Sequence, residues 1–185
     1  MLGRITLAIA IALLVAAPAQ AKQVAFTAAL RGDTIATMTG STATGAARVL
    51  VDLDDRTVDV EIDVAGITID NLWDQLVAAP IGPIHFHRYA SHDHSDYGSA
   101  ALAFPIPFGP AYAATPTGFS VRMKAFPYTL GAGALQSTAT LEEFVAALEG
   151  GQMVLNIHTD RFTNGEISGE VVTVAPVAAP TAHHG

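Results

Sequence analysis

The stretch of this chain with the most capacity for chemistry is His85-Phe86-His87. In an extended segment alternate side chains share a face, so a strand from Ile84 to His87 sets both imidazoles on one side and Phe86 on the other. Their Cα atoms then stand roughly 6.5–7 Å apart, a span that two imidazoles can close around one ion. The polar loop that follows, Arg88 to Asp96, adds His92 and His94, and His158 comes much later in the chain. Neutral imidazole suits copper and zinc, and three of them from two strands make an open or trigonal site. His85, His87 and His158, joined by His92 and His94 from the loop, are therefore the candidate ligands of a copper or zinc ion. Covalent catalysis has no comparable signature. The sequence holds no Gly-x-Ser-x-Gly, no phosphate-cradling glycine loop and no His-Glu-x-x-His.

The elements that must position these histidines read as β. Val49, Val51 and Leu53 alternate with polar or outward residues, Asp54-Asp55-Arg56-Thr57 makes a turn, and Val58 to Val64 returns with every second residue acidic. That is a hairpin with one buried face and one wet face, and Asp59, Glu61 and Asp63 read as the solvated side. A second hairpin runs from Met153 to Thr159 and back from Glu166 to Val174, turning at Asn164-Gly165, where both residues tolerate positive φ. Between the hairpins, Thr140-Leu141-Glu142-Glu143 resembles a capping box, Leu141, Phe144, Val145 and Leu148 form a helical stripe, and Gly150-Gly151 ends it. One short helix before the last hairpin follows. The Pro/Gly/aromatic segment from Ala100 to Tyr128 reads as an ordered excursion packed by its own side chains.

Composition bounds the setting. Arg4, the apolar run Ile5 to Ala17 and Ala19-Gln20-Ala21 form an export signal with a small-residue cleavage site. The expected division is residues 1–21 as signal peptide, 22–174 as one domain and 175–185 as a disordered tail. The mature chain is then exported, periplasmic or secreted, with no membrane span. There is no cysteine among the 185 residues, which removes disulfides and all thiolate sites. A net charge of −8 disfavours nucleic acid and anionic membranes as partners and is compatible with cations.

Taken in order, these blocks resemble the CHRD (chordin-type) domain family. The resemblance rests on the opening strand Phe26 to Leu30, the hairpin from Gly45 to Gly66, the His85-x-His87 strand, and the late run Val154-Leu155-Asn156-Ile157-His158-Thr159 through Asn164-Gly165-Glu166-Ile167-Ser168-Gly169-Glu170. It implies an all-β, immunoglobulin-like or Greek-key β-sandwich. It implies no settled activity; such domains in larger extracellular proteins look like interaction modules, so an extracellular protein partner is the alternative expectation to a metal ion. A second resemblance is to the layout of copper–zinc superoxide dismutases, in which His85, His87 and His158 would resemble copper ligands, and His92, His94 and Asp96 would lie in a zinc-type loop. The disulfide pair and the arginine-bearing loop of those enzymes have no counterpart in this sequence. The resulting expectation is a non-enzymatic metal-binding domain, copper first and zinc second, with a dismutase-like oxidoreductase as the least favoured reading.

Overall fold

The computed structural model describes residues 22–34, 36–96 and 100–174. The expected signal peptide and the tail with His183 and His184 lie outside the described residues. The fold is all-β, as the sequence implies. Strands β1 (Gln23–Arg31), β4 (Thr44–Asp52), β5 (Thr57–Ala65), β6 (Ile84–Arg88), β7 (Ala101–Ile106), β8 (Tyr112–Thr115), β9 (Gly118–Pro127), β10 (Met153–Ile157), β11 (Ile167–Glu170) and β12 (Val172–Thr173) form one antiparallel sheet. Its order is β7-β6-β10-β11-β1-β4-β5-β9-β8, with β12 on the free part of β1, while β2 (Asp33–Thr34) and β3 (Thr37–Met38) make a separate small hairpin. The sheet curls until its two ends meet: the Tyr112 hydroxyl on β8 donates to the Ile106 carbonyl on β7 at 2.8 Å.

Alternation builds the interior. Val58, Val60, Ile62 and Val64 of β5 are buried, and so are Val51, Val49 and Ala47 opposite the first three on β4. The acidic residues between them face water and pair across to β9, Arg122 with Asp63 at 2.5 Å and Lys124 with Glu61 at 2.5 Å. The stripe is a solvated, ion-paired sheet face. Asp59 also accepts from the amide of Ala125 at 2.6 Å, where β9 bulges and Ala125 takes a φ of 46°.

Helix α3 (Leu141–Glu149) is the helix that the sequence announces, with the full Thr140/Glu143 capping box. Phe144 on its buried side meets Phe86 at 5.8 Å and Phe104 at 5.4 Å between ring centroids. It is not the only helix. The chain also forms α1 (Asp74–Val77) and α2 (Tyr128–Ala134), the latter with two glycines in seven residues and hence no helical signal. Gly131 is there because Phe104 lies directly against it, and a Cβ would collide with that ring.

The segment from Ala100 to Tyr128 corrects the expectation of an excursion, because it supplies β7, β8 and β9 of the main sheet. Its prolines mask the strands without preventing them. Pro105 lies on β7, an end strand paired only with β6, where an absent N–H is tolerated.

Candidate functional site

Strand β6 has two occupied faces. Phe86 points inward against Phe104 and Phe144, and His85 and His87 take the opposite face, as alternation requires. Strand β10 is its immediate neighbour, with Asn156 opposite His85 and Val154 opposite His87. One residue beyond β10, the His158 amide donates to the Pro83 carbonyl at 2.9 Å, which extends the ladder and keeps His158 on the histidine face. Diagonal neighbours on such a face lie within reach of ring side chains. The three imidazoles converge, with centroids 4.9 Å apart for His85 and His158, and 5.9 Å apart for His87 with either partner.

His85 and His158 are buried and His87 is half-buried. The cover comes from the segment before β6. Leu72 bridges Thr159, the Trp73 amide donates to the His158 carbonyl, and the Trp73 indole lies 6.4 Å from the His158 ring. The loop after β10 fixes one tautomer. A carbonyl can only accept, so His158 Nδ1 carries a proton and donates it to the Thr163 carbonyl at 2.8 Å. The lone pair of His158 is then on Nε2, which has no partner, and neither has His85 at either ring nitrogen nor His87 at Nε2.

One ligand nitrogen from each of the three rings lies within 4.8 Å of the others, and no carboxylate belongs to the group among the described residues. Bonds of about 2.0–2.1 Å to a shared ion would seat three nitrogens about 3.5 Å apart, so the rings would close by about an ångström. Burial keeps the rings neutral. It lowers the His85 pKa to about 3, helped by His158 and His87 and opposed by the Gly82 backbone, and that of His87 to about 4, helped by His158. Burial lowers His158 as well. At neutral pH the lone pairs are free of protons, the state a metal requires.

The loop histidines are placed elsewhere. His92 is exposed. His94 is buried at a φ of 52°, with Nε2–H donating to the Gly151 carbonyl at 2.8 Å and its ring 5.2 Å from Tyr89. It plugs the loop onto the turn before β10. Neither joins the three-ring group. Asp93 organises the loop locally by accepting from Ser91 Oγ and from Ser95 at its amide and hydroxyl, bonds that lower its pKa.

Glu166 accepts from Ser41 Oγ at 2.6 Å and from Thr159 Oγ1 at 2.7 Å, so it ties the last hairpin to the loop before β4. Asn156 donates from Nδ2 to the Asn164 carbonyl at 3.2 Å, and its Oδ1 is buried and unpartnered. Gly165, at a φ of 114°, leaves room for that carboxamide, which a Cβ would strike. Sequence reasoning missed Trp73 and Thr163. Trp73, the one tryptophan, was available as a signal, whereas Thr163 acts through its backbone carbonyl and leaves none.

The CHRD domain family model matches residues 26–171, a span that contains all three converging histidines. No curated protein and no solved structure matches the chain.

Proposed function

The chain belongs to the CHRD domain family, and on that premise we propose that it is an exported, non-enzymatic domain that binds a transition metal, copper first and zinc second, through His85, His87 and His158. Family membership makes it an extracellular-type module and leaves the chemistry to the site. The observation that carries the reading is the set of unpartnered nitrogens. Four ring nitrogens of three adjoining histidines are buried without a hydrogen bond. Leaving a buried polar group unpaired costs about 1–3 kcal/mol, so a fold that assembles four in one place needs something to satisfy them. A shared ion satisfies three at once. The Thr163 carbonyl supports the same reading, because a metal-binding histidine typically donates its second N–H to such an acceptor.

A catalytic role gains no comparable support. Dismutase-like turnover needs a cycling metal and a site that admits substrate, and two of the three rings are buried, His158 against Trp73.

The test is metal stoichiometry. The chain carrying His183→Ala and His184→Ala, which removes the terminal pair, is equilibrated with buffered copper or zinc and weighed by native mass spectrometry. It is compared with a version that also carries His85→Ala and His87→Ala. One ion per chain, lost in the second protein, is the expected result. Binding no tighter than that of a surface histidine pair would overturn the proposal and leave a metal-independent interaction module.

A further inference from the structure

We infer that the three-histidine site selects univalent copper over divalent copper and zinc. The inference rests on the metal-binding reading above and goes further, by naming the charge and oxidation state of the ion.

Charge comes first. The donor set is three neutral imidazoles, and no carboxylate oxygen lies with them among the described residues. The neighbouring charges that act on His85 are those of His158 and His87, and on His87 that of His158. The surrounding face is equally uncharged: Val154 and Asn156 stand opposite on β10, Pro105 and Leu102 on β7, and Trp73 against His158. A divalent ion would keep two uncompensated positive charges in a largely buried setting. A univalent ion keeps one, and the desolvation penalty of a buried charge rises steeply with its magnitude.

Coordination number points the same way. Zinc completes a tetrahedron, and where a protein supplies only three histidines a solvent-derived ligand takes the fourth position. Divalent copper favours tetragonal arrangements. Of the three rings only His87 is open in part to solvent. Two of the rings are more than nine-tenths buried, with 3 % and 7 % of their surface exposed. Asn156, opposite His85 across the ladder, is neutral, and its Nδ2 donates to the Asn164 carbonyl. Univalent copper is content with two or three soft or borderline donors and asks for neither a fourth ligand nor an anion.

The experiment measures three affinities on the full chain carrying His183→Ala and His184→Ala. Univalent copper is measured anaerobically in ascorbate against a colorimetric chelator, and divalent copper and zinc are measured against fluorescent dyes. X-ray absorption on the copper(I) form counts its ligands. The expected result is one copper(I) per chain, held by two or three nitrogens with no oxygen. Its affinity should exceed that for either divalent ion by at least about a hundredfold, the direction a second uncompensated buried charge dictates. Binding should be lost in His85→Ala and weakened in His87→Ala. The second variant matters because His87 is only half-buried, so its replacement spares the fold if the first does not. Zinc or divalent copper bound as tightly as copper(I), or a fourth oxygen ligand, would overturn the selectivity and leave the metal site standing. Failure to bind any of the three ions would remove both.

Discussion

Replacing His85 with leucine should make the metal-free protein more stable and less sensitive to acid. His85 is buried, and neither ring nitrogen has a hydrogen-bond partner. Leucine is of similar bulk and brings no polar atom, so His85→Leu should raise stability at pH 7 by about 1–3 kcal/mol, the range for relieving an unsatisfied buried group. The pH dependence follows from the depressed pKa of about 3. An unfolded histidine takes up its proton near pH 6.5, whereas folded His85 waits until about pH 3. Between those values the unfolded chain binds more protons than the folded one, so stability is present above pH 6.5 and is lost as the pH falls. At pH 5 the gap is about 1.5 units, or about 2 kcal/mol for His85. His87, with a folded pKa of about 4, adds about the same at that pH. The parent should therefore lose about 4 kcal/mol between pH 7 and pH 5 from these two rings, a large part of the 5–15 kcal/mol typical of a domain. His85→Leu should lose about half as much. Urea unfolding in EDTA at pH 7, 6 and 5 measures both effects, with the single Trp73, 6.4 Å from the His158 ring, as the fluorescent reporter. A variant less stable than the parent at pH 7, or one with an unchanged pH slope, would refute the account of unpartnered, neutral rings.

Other substitutions test the frame around the site. Phe86→Ala removes the ring that packs on Phe104 and Phe144 from the strand that carries both histidines. It should cost about 3–5 kcal/mol in chemical denaturation. Gly165→Ala forces a left-handed φ on alanine and drives its methyl into the Asn156 carboxamide. A loss of about 2 kcal/mol is expected, with an altered Asn156 side-chain amide resonance by NMR. Glu61→Gln breaks an exposed pair with Lys124 on the wet face. It should change the unfolding free energy by no more than about 0.5 kcal/mol in chemical denaturation, and metal binding should not respond.

Much of the architecture was legible because its signals are local. Alternation in Val58 to Val64, the Asn164-Gly165 turn and the Thr140/Glu143 box each declare an element within a few residues. Strands β7 to β9 were not legible, because Pro105, Pro107 and Pro110 resemble loop punctuation unless it is known that β7 ends the sheet. At the site, His85 and His87 are related by simple alternation. His158 joins them only through the β6–β10 pairing, which a sequence can suggest and cannot fix. His92 and His94 share the spacing of His85 and His87 but sit in a loop, which gives them no common face. What separates them is that His94 turns at a positive φ and spends Nε2 on the Gly151 carbonyl. Charge and spacing alone could not express that difference.

The closing of the sheet on itself has a consequence for how the molecule behaves in company. An open sheet of ten strands presents two raw borders, each a template on which a neighbouring molecule could lay a strand of its own. Here one border carries Pro105, which offers no amide to a visitor, and lies against helix α2. The other border, through Tyr112, is fastened to the Ile106 carbonyl of the first. With no disulfide in the chain, this fastening does double service: it helps to hold the interior shut, and it discourages the sheet from extending itself into an aggregate.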